Sequence, residues 1–292
     1  MVANRPEVTG FFHESTGSVA YVAADPTTGC CALIDPVLDY DRCARATYTD
    51  FAQRMVAFVK DNGLTVEWIL DTHPHADHFS AAAFLKEQLG APMAIGEGTI
   101  AVQKIWKKIY NLADFATDGS QWDRLLADGE HISVGSLDVR VMATPGHTAA
   151  SVTYVVGDAA FVADTIFMPD GGTARADFPG GDAAQLYRSI QGILALPSDT
   201  RLFTGHDYRP NGREARWMST VGQQRRDNAH LNGMTEDAFV AMRTKRDATL
   251  PLPALMVDAL QVNMRGGRLP EPEANGVSYL KIPLNHFPPH RG

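Results

Sequence analysis

The chain has 292 residues, of which 45% are hydrophobic, 21% charged and 9% aromatic, a balance that excludes disordered, collagenous and coiled-coil proteins. Its net charge of −8 gives no electrostatic reason to bind nucleic acid, because such binding depends on neutralising phosphates. No charge-free stretch reaches the ~18 apolar residues of a membrane helix, so the sequence predicts no membrane partner.

The first 35 residues indicate a cellular location and a first element of structure. Arg5, Pro6 and Glu7 stand where a secretory signal would need an unbroken apolar core. The three cysteines are odd in number, which is typical of a reduced protein, and we therefore expect a cytoplasmic location. The apolar runs 19–22 and 31–34 are separated by DPTTG, whose Pro and Gly predict a hairpin turn.

Helices and strands are then predicted to alternate up to residue 112. Apolar residues recur at helical spacing over 51–59, and the short apolar run 66–70 predicts a buried strand. The next elements are predicted as helix 81–89, strand 92–95 and helix 100–112. This alternation favours a layered α/β architecture.

From residue 132 the pattern changes to short strands joined by turns that contain Gly or Pro. The strands are predicted at 132–134, 139–143, 152–156 and 160–162. An amphipathic helix at 183–194 and a last strand at 201–204 follow.

No linker rich in Pro, Gly or Ser divides the chain, and no internal repeat is present. We therefore predict a single domain over residues 1–292. Its motif-bearing core spans about 18–208, and a mainly helical tail spans 209–292.

The sharpest feature is the segment Thr72 to His78, THPHADH, which holds four potential metal ligands in six positions directly after an apolar strand. Alternate residues of an extended turn point the same way, so His73 and His75 can converge on one metal while Asp77 and His78 face an adjacent position. Loop histidines without a ligand role would not produce this density. The spacing alone permits two metals.

Three further segments offer ligands, each at the end of an apolar run: His147 in TPGHT, Asp164 in FVADT and His206 in FTGHDY. Singly, each has an ordinary explanation as a turn residue or a helix cap. Jointly they indicate a metal site assembled from distant parts of the chain. Other histidines, such as His13 and His230, lack such neighbours, and we assign them surface or packing roles.

In this order, H-x-H-x-D-H, the TPGHT histidine, the aspartate and the GHD histidine resemble the motifs of the metallo-β-lactamase superfamily. The resemblance spans about residues 18–208 and implies an α/β fold, the four-layered αββα sandwich, with the metal between the loop edges of two facing sheets. The helical C-terminal extension lies outside these motifs. The superfamily contains hydrolases and oxidoreductases, so the fold leaves the reaction open.

One branch, the zinc hydrolases similar to glyoxalase II, binds two zinc ions through seven ligands, all present here. The resemblance would place His73, His75 and His147 on one zinc, Asp77, His78 and His206 on the other, and Asp164 as the bridge. A hydroxide between two such metals would attack a thioester or lactone carbonyl.

Two segments resemble another branch, the persulfide dioxygenases of the ethylmalonic encephalopathy protein family. They are GTARADF at 172–178 and the HDY that ends at Tyr208. The stretch MPDGGTARADFPGG resembles the bacterial members in particular. The loop 168–173 is longer than in the mitochondrial members, so their substrate contacts are not transferred.

This resemblance implies one iron(II) per chain, bound by His73, His147 and Asp164 as a two-histidine, one-carboxylate facial triad. Such an ion keeps open positions for a substrate sulfur and O₂, whereas redox-silent zinc cannot activate O₂. The implied substrates are glutathione persulfide and O₂, and the implied products are sulfite and glutathione.

The other polar residues of the motifs then receive supporting roles. His75, Asp77, His78 and His206 would orient the ligands by hydrogen bonds, and Asp77 is also a candidate catalytic residue.

Two residues are candidates for substrate contact. Tyr208, a candidate catalytic residue as well, is predicted to donate its hydroxyl to an oxygen ligand of the metal or to Asp164. Arg175 is predicted either to bind a glutathione carboxylate with its guanidinium fork or to pair with Asp177 and hold its loop.

Two alternatives to the iron dioxygenase stay open at this point. One is the binuclear zinc thioester or lactone hydrolase, and the other is a metal-loaded but catalytically silent binding module. The sequence also leaves the oligomeric state open, a homodimer included.

Overall fold

The computed structural model describes residues 5–287, and within them the chain forms fifteen strands and seven α-helices. The strands are β1 (Glu7–His13), β2 (Ser18–Ala24), β3 (Cys30–Ile34), β4 (Val37–Asp41), β5 (Ala46–Tyr48), β6 (Thr65–Asp71), β7 (Phe79–Ser80), β8 (Met93–Gly96), β9 (Arg124–Leu126), β10 (His131–Val134), β11 (Leu137–Ala143), β12 (Val152–Val156), β13 (Ala159–Ala163), β14 (Arg201–Thr204) and β15 (Met218–Thr220). The helices are α1 (Asp50–Asp61), α2 (Ala82–Leu89), α3 (Thr99–Ile109), α4 (Ala183–Leu194), α5 (Val221–Asp227), α6 (Glu236–Asp247) and α7 (Met256–Asn263).

Two six-stranded sheets face each other. Their strand orders are β1-β2-β3-β6-β8-β9 and β10-β11-β12-β13-β14-β15. Strands β3, β6, β8 and β9 run parallel, as do β13 and β14, and the other neighbours are antiparallel. A small three-stranded sheet, β5-β4-β7, adjoins the first.

Strand β2 shows why four layers form. Its side chains alternate between two faces, as in any strand, but both sets are apolar. Val19, Tyr21 and Ala23 belong to the core between the sheets, whereas Ala20 and Val22 belong to the core beneath helices α1, α2 and α7. The second sheet repeats the arrangement, with its outer face packed against α4, α5 and α6. This layering confirms the predicted αββα sandwich.

The predicted elements of the core are present with bounds shifted by a few residues, and the predicted hairpin is the antiparallel pair β2–β3. Strand β1 was not predicted from the sequence. It forms the edge of the first sheet by pairing with β2 along its whole length.

The extension after residue 208 differs in part from the mainly helical tail that the sequence predicts. It contains α5, α6 and α7, but it also contributes β15 to the edge of the second sheet, and its described part after Asn263 has no helix or strand. A three-residue strand such as β15 forms because β14 offers it a free edge, which no local pattern reveals. Within residues 5–287, none of the helices is long and apolar enough to cross a membrane.

The candidate ligands all follow strands of the two large sheets. His73 comes after β6, His147 after β11, Asp164 directly after β13 and His206 after β14. In open α/β sheets, binding sites form outside strand ends of this kind. The loops that carry the ligands therefore meet at one edge of the sandwich.

Candidate metal centre

Three buried side chains from distant parts of the chain converge at this edge. One potential ligand atom of each of His73, His147 and Asp164 lies within 4.8 Å of those of the other two. The Nε2 atoms of both histidines are 3.7 Å from the same carboxylate oxygen, Oδ2 of Asp164. Two imidazoles and one carboxylate around a common point are a donor set that first-row divalent metals accept.

Hydrogen bonds orient both imidazoles toward that point. The Thr72 hydroxyl donates to Asp35, so it accepts from Nδ1 of His73, which is 3.0 Å away. Nδ1 of His147 donates to the carbonyl oxygen of Arg175 at 2.9 Å. In its neutral form each ring therefore presents an unprotonated Nε2, and that of His73 is buried with no hydrogen-bond partner among residues 5–287. A metal ion would satisfy this orphaned atom, so the residues fit a bound cation.

The backbone around Asp164 is shaped for close approach. Ala163 adopts a left-handed φ of 49°, and the β13–β14 register shifts between Phe161 and Ala163. A Cβ atom on Gly205 would lie 2.6 Å from Oδ1 of Asp164, so only glycine fits there. This approach lets Nδ1 of His206 contact Oδ1 of Asp164 at 2.5 Å.

His206 links the first group to a second one. Its Nδ1 contacts Asp164, and its Nε2 contacts both the Asp77 carboxylate and the Ser18 hydroxyl, the latter at 2.9 Å. Ligand atoms of Asp77, Asp164 and His206 lie within 4.8 Å of one another, as do those of His75, Asp77 and His78. The structure therefore brings all seven predicted residues into one cluster.

His75 lies beside His73, with ring centroids 4.1 Å apart, and its Nδ1 is also buried with no hydrogen-bond partner among residues 5–287. Its Nε2 contacts Oδ1 of Asp35 at 3.0 Å, and its ligand atoms group with Asp77 and His78 rather than with His73 and His147. This grouping differs from the arrangement of a glyoxalase II-like first zinc site.

Burial and neighbouring charges determine the protonation of the cluster. Burial lowers the pKa of His73 and of His147, and it lowers that of His78 to about 3. Neutral imidazoles are the form that binds a metal. Burial by itself would raise the pKa of the Asp164 carboxyl, but the His206 imidazole holds it well below its usual range. Burial by itself would lower the pKa of His206, but the Asp164 and Asp77 carboxylates raise it well above its usual value.

Two residues that sequence reasoning missed hold the THPHADH loop. Asp35, directly after β3, accepts hydrogen bonds from the backbone and hydroxyl of Thr72 and contacts His75. Asn263, the last residue of α7, donates to the carbonyl oxygens of His75 and His78, both at 2.7 Å. The position of Asp35 beside the end of β6 is a usable signal, since β3 and β6 are parallel neighbours. Asn263 carries no such signal.

The two predicted substrate contacts have different surroundings. Tyr208 is 64% exposed and stacks on the His206 ring with centroids 5.6 Å apart. Within the described chain, its hydroxyl makes no hydrogen bond to Asp164 or to any other residue. Arg175 forks onto Asp177 at 2.6 and 2.8 Å and donates to the carbonyl oxygen of Pro251. This is the loop-holding role of the two predicted for Arg175, and its substrate contact stays a prediction.

His230, which the sequence assigns to a surface or packing role, supports the same loop. Its Nδ1 accepts from the backbone N–H of Thr173 at 3.0 Å. Burial, followed by the charge of Arg243, lowers the pKa of His230 to about 4. Only the neutral imidazole can accept this hydrogen bond.

We therefore expect acid to weaken the fold through His230. Because its pKa is lower in the folded than in the unfolded chain, its contribution is complete above about pH 6.5 and is lost as the pH falls toward 4. Between pH 7 and pH 5, His230 should lower the free energy of unfolding measured with urea by about 1 kcal/mol. The decrease with pH should therefore be smaller in His230→Gln than in wild type. His131→Gln, at an exposed histidine, is the control. Equal losses in wild type and His230→Gln would contradict the assignment.

Comparison with known proteins places this geometry in a family. The family model described as "Metallo-beta-lactamase superfamily" matches residues 15–206. The Beta-lactamase hydrolase-like protein of Agrobacterium fabrum is 63% identical over 280 residues; the match covers 96% of this chain and 65% of that protein. This chain thus spans about 65% of the length of that relative. Glyoxylase B2 of Dictyostelium discoideum is 46% identical, with 98% of this chain and 99% of that protein covered.

More distant relatives of this chain include a persulfide dioxygenase. The mitochondrial persulfide dioxygenase ETHE1 of Bos taurus is 30% identical over 88% of this chain and 87% of its own. The crystal structure of ETHE1 from Myxococcus xanthus matches with a TM-score of 0.73 and 28% identity, covering 90% of this chain and all of that one. The four-layered fold, the ligand cluster and these matches agree: the chain belongs to the metallo-beta-lactamase superfamily.

Proposed function

We propose that this protein is an iron(II)-dependent persulfide dioxygenase that oxidises glutathione persulfide with O₂. The observation that carries the proposal is the group formed by His73, His147 and Asp164, which does not include His75. Three protein ligands of this kind leave coordination positions for a substrate and O₂. The similarity to persulfide dioxygenases over 88% of the chain supports the same reaction.

The proposed reaction is balanced with one added water molecule. Glutathione persulfide, O₂ and water give glutathione, sulfite and two protons, so the terminal sulfur is oxidised and O₂ is reduced. Bound iron would supply the electron exchange between sulfur and O₂. The contribution of the chain is to hold the ion and to keep its ligands in one protonation state.

The residues around the triad perform that holding role. His206, with hydrogen-bond partners on both ring nitrogens, fixes the Asp164 carboxylate so that Oδ2 faces the two imidazoles. The Phe178 ring contacts His147 edge-on, with centroids 5.2 Å apart, and covers one side of that ligand. Tyr208, exposed and stacked on His206, is the residue that we propose to contact the substrate.

A second candidate function is a binuclear zinc hydrolase of thioesters or lactones. The observation in its favour is that Asp164 belongs both to the group with His73 and His147 and to the group with Asp77 and His206. A carboxylate shared in this way can bridge two metals, and two bridged metals would activate water for attack on a carbonyl. The similarity to relatives named as a hydrolase-like protein and a glyoxylase supports this candidate.

Metal content and oxygen consumption separate the candidates. We expect protein purified without oxygen from iron-supplemented cells to contain about one iron per chain, because the triad is a single three-ligand site. Glutathione persulfide should then drive O₂ uptake with one sulfite formed per O₂, and zinc-loaded protein should consume none.

The opposite results would reject the proposal. About two zinc ions per chain, with thioester turnover and no O₂ uptake, would establish the hydrolase. Bound metal without turnover of either substrate would favour a silent binding module.

The cytoplasmic location stays a prediction from the sequence.

A further inference from the structure

The peptide group between Arg175 and Ala176 is hydrogen-bonded at both of its ends. Its carbonyl oxygen accepts from Nδ1 of the metal-ligand candidate His147 at 2.9 Å. Its N–H donates to Oδ2 of Asp247, also at 2.9 Å. Asp247 is the last residue of α6, in the extension that lies outside the family motifs. One planar unit therefore connects a carboxylate of the extension to the metal centre.

Asp247 is part of a buried ion pair. Its side chain is 4% exposed, and its other oxygen contacts Nη2 of Arg243, a residue that is 1% exposed. Arg243 also donates from Nη1 to the carbonyl oxygen of Thr173 at 3.1 Å. Helix α6 thus holds the ligand-supporting loop at two points, Thr173 and Ala176. Burying two charges costs free energy, and both members of this pair also form hydrogen bonds to the loop.

The peptide can transmit the effect of the carboxylate as well as its position. The amide is a resonance system, so an anion that accepts its N–H increases the negative charge on its carbonyl oxygen. That oxygen then accepts more strongly from Nδ1 of His147. A stronger acceptor at Nδ1 fixes the tautomer that presents Nε2 to a metal and raises the basicity of Nε2.

We propose that Asp247 is a positioning residue for the metal ligand His147 and acts through the Arg175–Ala176 peptide. In many metal sites a carboxylate accepts directly from the distal nitrogen of a ligating histidine. Here one peptide group is inserted between the two. The inference rests on the metal-binding part of the proposed function and does not depend on which reaction follows.

Cobalt(II) binding tests the proposal without turnover. In Asp247→Asn the amide can still accept from Ala176, but the negative charge is gone, and we expect about 10-fold weaker cobalt(II) affinity together with shifted ligand-field bands. The matched control is Asp258→Asn, because Asp258 on α7 is also a buried carboxylate paired with an arginine, Arg45. Its affinity should stay within about twofold of wild type. Wild-type affinity and spectrum in Asp247→Asn would overturn the proposal.

A second variant separates the carboxylate from the general stability of the loop. Arg243→Lys removes the donation to the carbonyl oxygen of Thr173 but keeps a cation beside Asp247, so that a charged carboxylate stays on the Ala176 N–H. We expect Arg243→Lys to lose unfolding free energy, because a lysine cannot reproduce the guanidinium fork, yet to bind cobalt(II) within about twofold of wild type. Equal weakening in both variants would show a merely structural role and would overturn the proposal.

A double-mutant cycle locates the effect at His147. In a His147→Ala background, Asp247→Asn should cause no further loss of cobalt(II) affinity, because the ligand on which it acts is absent. A repeated loss of about 10-fold in that background would place the effect on another ligand and refute the inference. Since each readout is metal affinity or a spectrum, failure of the persulfide reaction leaves the result interpretable.

Discussion

Asp164→Asn is expected to lower both metal affinity and turnover by more than about 100-fold, beyond the 10- to 100-fold that loss of an outer hydrogen-bonding partner costs. Asp164 supplies the only negative charge in its group with His73 and His147. The amide keeps the shape of the side chain but is a poorer ligand, and it leaves Nδ1 of His206 without an anionic partner, whereas Nε2 keeps Asp77. Metal content after gel filtration and O₂ uptake with glutathione persulfide measure the two losses.

A carboxylate outside the site provides the control for this substitution. Asp138 on β11 also contacts a histidine, His131, but both side chains are exposed. Asp138→Asn should leave metal content and turnover unchanged. Asp164→Asn protein with the metal content and turnover of wild type would contradict the assignment of Asp164 as a ligand.

Asp35→Ala is expected to lower the free energy of unfolding by about 3–5 kcal/mol, since removing one partner leaves several buried polar groups unsatisfied. Asp35 accepts from the backbone N–H of Thr72 at 2.7 Å and from its hydroxyl at 2.8 Å. It also contacts Nε2 of His75 at 3.0 Å. Urea unfolding at a fixed metal content measures the loss.

Asp41 supplies a comparison for the cost of burial. Its carboxylate accepts two backbone N–H groups, those of Cys43 and Ala44, but in an exposed turn. Asp41→Ala should cost only about 1 kcal/mol, because water can replace the lost acceptor. If Asp35→Ala were no more destabilising than Asp41→Ala, Asp35 would not have the organising role that its contacts indicate.

The candidate metal ligands could be identified from the sequence because their chemistry is local. His73, Asp77 and His78 crowd into one turn, and His147 and Asp164 each end an apolar run. These patterns depend on residue type and strand position, both of which are readable along the chain. The alternation of helices and strands predicted a layered α/β architecture, and the family resemblance of the motifs implied its four layers.

The supporting residues of the extension could not be found in this way. Asn263 and Asp247 each end a helix in the extension, far along the chain from the loops that they hold. Nothing in their neighbours distinguishes them from solvent-facing polar residues of a helix terminus. The role of His230 also could not be predicted, because its partner Thr173 lies 57 residues away along the chain.

By itself, the sequence determined which side chains can bind a metal and the type of fold that brings them together. Residue chemistry and apolar periodicity are local features, so they can be recognised in the sequence alone. Only the tertiary structure decided how the seven candidate ligands divide, with His75 turned to Asp35 and Asp164 held by His206. It also showed that helices of the extension support the site. Hydrogen bonds of a few ångströms between distant segments make those decisions, and their geometry exists only once the chain has folded.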